Sequence, residues 1–250
     1  MRLKDKVAIV TGGGRDIGRD VSRVLAREGA KVVINFANDE ASAAETLESV
    51  KSAGGEAIVC RADVTTATGV ATLVAAAKEA YGAEVHILVN LAGGMVERRP
   101  LADIDEAFFD KVMTLNLKSA YLMTRAVAPL MSEGASIINF SSVAGRDGGG
   151  PGASIYATSK GALMTFTRSM AKELGPKGVR VNSLCPGMIA TSFHDTFTKP
   201  EVRTAVAGST PLRRQGNSGE VAETVLYLAS DDASFVTGVN LDINGGLFFS

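Results

Sequence analysis

Short runs dense in valine and isoleucine alternate along this chain with longer stretches whose apolar residues recur every three or four positions. Residues 6–11 form the first strand-like run, and a helical pattern follows over 17–29, where a glycine sits at the closing position. Runs at 31–35, 57–60 and 86–90 read as strands, separated by helical patterns over 39–53 and 66–81. A long helix is predicted over 104–128, with Pro129 marking its last turns, then a strand at 136–141 and a helix over 154–174. A strand at 179–184, a helix over 218–230 and a short strand at 239–243 complete the series. Strands that are apolar almost throughout are buried on both faces. The β-α alternation therefore predicts an α/β fold, a doubly wound parallel sheet with helices on both faces. No linker-like stretch and no repeat interrupts the pattern, so residues 1–250 are expected to form one domain. Residues 187–210 are the least regular. They follow a strand end, where such sheets bind ligands, and are expected to form a lid with one or two short helices.

Composition narrows the function more than the fold. The chain is 46% hydrophobic with a formal net charge of −1, which gives no reason to expect nucleic acid or an anionic membrane as partner. The basic pairs Arg98-Arg99 and Arg213-Arg214 read as solvated surface. No apolar run is long enough for a bilayer span, and the charged first residues lack a signal core. Cys60 and Cys185 are too few for a disulfide framework and read as reduced, buried thiols of a cytoplasmic protein. His86 and His194 lie far apart, and no Cys/His/carboxylate group has ligand spacing, so no metal is expected.

Two segments carry chemistry. Thr11-Gly12-Gly13-Gly14-Arg15-Asp16-Ile17-Gly18 joins the first strand to the first helix. Glycines there permit a tight turn and close approach of a pyrophosphate to backbone amides at a helix N-terminus. The second strand ends Asn35-Phe36-Ala37-Asn38 with no carboxylate before Asp39, while Arg15 is placed to meet a 2′-phosphate. NADP(H) is therefore favoured, with NAD(H) the alternative. Asp63, at the end of the third strand, reads either as a partner for the adenine edge or as a strand-end cap. Tyr156 and Lys160 share a helix face at i, i+4. A phenol has a pKa of about 10; a fixed cation beside it is expected to bring it toward the working range of an acid/base catalyst.

With these features in order, the chain resembles the short-chain dehydrogenase/reductase family over nearly its whole length. The resemblance rests on the loop at 11–18, Asp63, Asn90-Leu91-Ala92-Gly93, Asn116, Ser142, Tyr156-x-x-x-Lys160, Asn182, Pro186-Gly187, and Asp242 with Gly245-Gly246. It implies a single Rossmann-type domain that transfers hydride between a nicotinamide and a carbonyl/alcohol pair. Tyr156 is then the acid/base, Lys160 its tuning cation and ribose partner, Ser142 the donor to the substrate oxygen, and Asn116 the holder of a water on a proton route. Gly12, Arg15, Asp16, Ile17, Gly18, Asn35, Asp63, Val64, Asn90, Ala92, Gly93, Pro186, Gly187, Ile189 and Thr191 are the implied cofactor contacts, beside Tyr156 and Lys160. Relatives are usually tetramers built on the two long helices and the C-terminal strand, which implies a homotetramer here.

The chain departs from the family pattern in three places. Asp16 replaces a motif glycine; it is expected to cap the helix at Ile17 and point away from the phosphates, the competing reading being a cost in NADP affinity that Arg15 offsets. Leu91 replaces an asparagine. Residues 145–152 are glycine-rich and predict an open or mobile pocket wall. The substrate is a small-molecule carbonyl or alcohol. A 3-oxoacyl-acyl-carrier-protein is one reading, but Glu133 stands in one of the turns expected to be basic, while Lys172 and Lys177 fit the other. A small polar ketone, sugar or polyol is the competitor. A non-catalytic scaffold would lack Tyr156, Lys160 or Ser142, all of which are present, and a sensor acting through Cys185 has less support still.

Overall fold

Seven parallel strands lie in the order β3-β2-β1-β4-β5-β6-β7. In the computed structural model, which describes residues 1–250, these are β1 Val7–Thr11, β2 Lys31–Phe36, β3 Glu56–Arg61, β4 Ile87–Asn90, β5 Ser136–Phe140, β6 Arg180–Pro186 and β7 Asn240–Ile243. Every residue of β1, β4, β5 and β6 is buried, as continuous apolar strands require. At the sheet edge, β3 exposes Glu56, Val59 and Arg61.

The helices are α1 Asp16–Arg27, α2 Glu40–Ser52, α3 Ala67–Tyr81, α4 Glu106–Met113, α5 Ser119–Val127, α6 Ala144–Asp147, α7 Ser154–Leu174, α8 Ser192–Phe197, α9 Pro200–Ser209 and α10 Ser218–Ala229. The sheet separates two cores. On one side Ala8, Val10, Val32 and Ile34 meet Val21 and Leu25 of α1 and Val221 and Val225 of α10. On the other, Ile9, Val33, Leu88 and Ile137 meet Leu73 of α3 and Met123 and Val127 of α5. Adjacent residues of β1 thus feed opposite cores, as the two-residue strand period demands.

Local chemistry sets the helix ends. Gly29 has φ +93°, and Ala30 N–H reaches Leu25 O at 3.0 Å while Gly29 N–H reaches Ala26 O at 2.9 Å, a Schellman closure of α1. The helix expected over 104–128 begins later, because Asp105 caps it by accepting from Phe108 N–H at 2.7 Å. It is also not uniform: a π turn at Thr114–Lys118 separates α4 from α5, and a 3-10 turn at Ala128–Leu130 carries Pro129. The lid segment holds two helices, α8 and α9, and the short helix α6 stands in the glycine-rich stretch expected to be open.

Strand order reverses between β1 and β4, so the crevice at their carboxyl ends is the natural ligand site. Asn35 fixes its floor. This buried amide accepts from Gly12 N–H at 3.3 Å and donates to Ala62 O at 2.9 Å and Cys60 O at 3.3 Å. It therefore ties the glycine loop to β2 and β3. Asn35→Ala leaves these buried groups unpaired and should cost about 2 kcal/mol, lowering Tm by about 4–8 °C; a thermal melt within 1 °C or so of wild type would contradict the anchoring role.

Candidate active site

A cleft of ≈ 870 Å³ opens along the carboxyl edge of the sheet, floored by the glycine loop and roofed by α8 and α9. Gly12 sits at φ +65°, and a Cβ there would lie 3.2 Å from Ala92 Cα. A Cβ on Gly18 would lie 2.1 Å from Gly12 O, so this turn tolerates no side chain at that position. The result is a backbone-lined cradle of the kind that admits a dinucleotide's phosphates.

Four candidate catalytic residues converge beyond the cradle. Lys160 is buried, and its Nζ donates to Phe140 O at 2.7 Å. The same ammonium lies 5.8 Å from the Tyr156 ring centroid. A Cβ on Gly93 would fall 2.7 Å from Asn116 Oδ1 and 3.0 Å from Lys160 Nζ, which places Asn116 and Lys160 on one small space. Asn116 sits in the π turn, its Oδ1 accepting from Gly94 N–H at 2.9 Å and its Nδ2 donating to Gly94 O and Val112 O at 2.9 Å. Such turns are frequent at functional sites. Ser142, not Ser141, keeps its hydroxyl proton for the cleft: Ser141 Oγ donates to Lys160 O at 2.7 Å, while Ser142 Oγ accepts from Ala144 N–H at 3.1 Å and lines the cleft with Tyr156.

Burial dominates the electrostatics of the pair. It pushes the Tyr156 phenol up from its ordinary value, while the bond with Ser142 acts in the lowering direction. It pulls Lys160 down to about 8. The lysine-driven lowering of the phenol expected from the i, i+4 spacing is therefore not the prevailing effect, because the ammonium turns to the Phe140 carbonyl. His194, half-buried and close to Arg203 and Arg98, is held to about 4 and is neutral at physiological pH.

The structure lines the cleft with Gly12, Arg15, Asp16, Ile17, Asn35, Ala92, Gly93, Pro186, Gly187, Ile189 and Thr191 of the expected cofactor contacts. Gly18, Asp63, Val64 and Asn90 stand outside its lining. Asp63 Oδ1 accepts from Thr65 N–H at 2.9 Å and Thr65 Oγ1 at 2.6 Å, the strand-end cap of the two readings. Asn90 donates to Asn139 Oδ1 and Thr124 Oγ1 within the core.

Asp16 corrects its expectation. Arg15, not Asp16, occupies the N-cap position, and Asp16 is the first residue of α1 with φ +48°. Its carboxylate accepts from Ser192 N–H at 3.0 Å and Ser192 Oγ at 2.5 Å, at the start of α8. That backbone conformation, which a glycine adopts freely, costs an L-residue about 1–2 kcal/mol. Arg98 is exposed, as expected of a surface pair member, and it also makes a bridge. Its Nε donates to Phe197 O and its Nη1 to Pro151 O, both at 2.9 Å, bridging α8 to the glycine-rich wall. Phe193, Phe197, Met95, Met188 and Leu247 also line the cleft and had no local motif to mark them.

Comparison with known proteins agrees with this geometry. A family model described as enoyl-(acyl carrier protein) reductase matches residues 12–248. Versicolorin reductase 1 of Aspergillus parasiticus is 36% identical over 99% of this chain and 98% of its own. A short-chain dehydrogenase/reductase from Serratia marcescens superposes with TM-score 0.93 at 32% identity, covering 99% of both chains. An NADH-dependent reductase described as responsible for alginate metabolism gives TM-score 0.89 at 34% identity, also over 99% of both.

The chain belongs to the short-chain dehydrogenase/reductase family. It is an oxidoreductase with a single Rossmann-like domain, and the family implies a nicotinamide cofactor. The glycine cradle fits that group, since Gly12, Gly14, Gly93 and Gly94 line the cleft without side chains and leave backbone exposed to it. Within this family member, Cys185 is buried and its thiol is pushed up mainly by burial, which keeps it protonated and unreactive.

The Lys160 shift makes a stability prediction. The folded pKa, about 8, lies below the ordinary 10.5, so the unfolded chain binds more protons between these values. The stability that Lys160 contributes is therefore full above 10.5 and is lost as pH falls through about 8. The apolar Lys160→Met variant lacks this dependence. Its stability relative to wild type should fall by about 2–4 kcal/mol from pH 7.5 to 10.5 in urea titrations; a gap that stays constant would show that the ammonium is not desolvated.

Proposed function

We propose that this enzyme reduces a ketone carried on an apolar or aromatic body, with NADPH as the favoured cofactor. The observation that carries the proposal is the convergence of Tyr156, Ser142 and Lys160 on one wall of a cleft whose opposite end is the glycine cradle. When bound, the nicotinamide supplies the hydride that reaches the carbonyl carbon. Tyr156 delivers the proton to the carbonyl oxygen, and Ser142 donates a hydrogen bond to that oxygen as its negative charge develops. Lys160 presents its ammonium beside the phenol and the ribose, and Asn116 holds the water through which the proton is replaced. Thr191 and the backbone at Ile189 hold the carboxamide end.

Cofactor choice rests on charge. The carboxylate nearest the end of β2, Asp39, is occupied as the cap of α2, where its Oδ1 accepts from Ser42 N–H at 3.0 Å. Arg15, more than half exposed in the cleft, is the cation for a 2′-phosphate. NADH is the competitor, supported by the structural neighbour described as NADH-dependent. Substrate class rests on the lining: Phe193, Phe197, Met95, Met188, Val202 and Val206 offer apolar area for such a body. For an acyl carrier protein, Glu133 remains in the turn before β5, packed on Gly178.

A turnover screen with both cofactors tests the proposal. An aryl-fused cyclic ketone such as a tetralone should be reduced fastest with NADPH, ahead of an acetoacetyl thioester and of sugars or diols; a polyol turned over faster would overturn the substrate class. Arg15→Ala should lower kcat/KM for NADPH about 10- to 100-fold and leave NADH nearly unchanged. Equal losses with both cofactors would remove Arg15 from the selection.

Assembly and location belong to the same proposal. Phe109 on α4 and Tyr121 on α5 are exposed apolar groups on the long-helix face, and Phe249 is exposed at the C-terminus. A homotetramer would bury them. Two unpaired, buried cysteines support a cytoplasmic setting. Light scattering at micromolar concentration should give about four times the chain mass, and a monomer would refute the assembly.

A further inference from the structure

The lid has little burial to hold it. Neither α8 nor α9 contributes a fully buried residue, and α8 is only six residues long. Helices this short do not persist alone, so their position depends on specific ties. At the far end of α8 the tie is Arg98 to Phe197 O. In the middle, Phe193 packs on Tyr156 with ring centroids 5.9 Å apart. At the near end it is Asp16, across 176 residues of sequence, accepting from both the amide and the hydroxyl of Ser192. Arg15 Nη1 donates to the same hydroxyl at 3.3 Å, and its Nε lies 3.9 Å from the Asp16 carboxylate.

Asp16 bears two local costs. It holds a left-handed conformation at φ +48°, and it sets a negative charge in the loop that faces the cofactor's phosphates. Both carboxylate oxygens are engaged by Ser192, so the charge is directed at the lid rather than left free in the cradle. A glycine at this position would carry neither cost and would make no tie.

We propose that Asp16 is a positioning residue that clasps Ser192 and so couples the glycine loop to the lid. Ordering the loop around the cofactor and ordering Thr191 and Phe193 over the cleft are then one event. Ser192 directly follows Thr191 and precedes Phe193, so the clasp acts on the residue assigned to the nicotinamide end and on the ring packed against Tyr156. This inference rests on the cleft being the cofactor site, but its first readout does not need the cofactor.

Amide hydrogen exchange over residues 191–197 of the cofactor-free enzyme tests the clasp. Asp16→Gly and Ser192→Ala should exchange there at least about tenfold faster than wild type. Asp16→Asn keeps an acceptor for the amide and gains a donor for the hydroxyl, so it should stay within about threefold. With NADPH, followed by stopped-flow fluorescence, the same two variants should release cofactor about tenfold faster and raise the ketone KM more than they lower kcat, with Asn again the rescue. Unchanged exchange in Asp16→Gly would overturn the proposal. So would slower cofactor release in both Asp16→Gly and Asp16→Asn with Ser192→Ala like wild type, since that pattern reports charge repulsion alone. If the enzyme reduces no ketone with NADPH, the exchange result still stands on its own.

Discussion

Five neighbouring strands carry polar residues that lie in one register row: Thr11, Asn90, Asn139, Ser183 and Asn240. Asn90 Nδ2 donates to Asn139 Oδ1 at 2.9 Å, and Ser183 Oγ donates to Asn240 Oδ1 at 2.6 Å. Thr11 Oγ1 donates to Val89 O and accepts from the amides of Leu91 and Ala92. Buried polar groups are costly unless paired, and a slip of one residue would break this row while turning every neighbouring side chain to the wrong core. Asn90 Oδ1 is the acceptor of the row without a partner in the protein. At Thr11 and Asn90 the row coincides with the ends of β1 and β4, where two of the loops around the cleft leave the sheet. It also sets the catalytic helix: Asn139 Nδ2 donates to Thr167 Oγ1 on α7, two turns beyond Lys160. Ser141 holds the Lys160 carbonyl, and Phe140 O, between those anchors, receives the ammonium.

That placement explains the electrostatics. An ammonium drawn onto a backbone carbonyl in a buried site loses hydration and gains one dipole, which leaves its charged form disfavoured. The phenol loses hydration too, and the hydrogen bond with Ser142 is the contact that favours its anion. Both groups therefore stand nearer their neutral forms than helix spacing alone suggests. Shifted titratable groups that share a cleft are the kind of arrangement an acid/base centre uses.

The sequence reveals what repeats and hides what is brought together from afar. The strands, α7 over its full length and the Tyr156–Lys160 face follow from periodicity, because burial on both sheet faces imposes that periodicity. Asn35 was visible as a strand end, but its grip on Gly12 depends on how β2 and β3 pair. The π turn had no signature, since its residues keep a helical pattern. Asp16 was legible as an anomaly in a glycine loop, and its partner was not, because Ser192 belongs to a segment with no regular pattern. Arg98 reads as half of a surface pair and is exposed, but its bonds to Phe197 O and Pro151 O had no local signature; Arg99 lies over the Phe108 ring at 4.3 Å and pairs with Glu97.

The bridge made by Arg98 bears on how this enzyme recognises a substrate. Gly149, Gly150 and Ala153 give one wall of the cleft little side chain, with Asp147 at its edge. Arg98 reaches across it, bonded to Pro151 O on the wall and Phe197 O on the lid, with Gly152 O accepting from Arg99 N–H at 3.1 Å. The guanidinium therefore holds the glycine wall and the aromatic lid at a fixed separation. Because the wall carries little side chain and the lid carries Phe193 and Phe197, apolar contact comes mainly from the lid side. A planar apolar body can lie between a flat backbone surface and those rings.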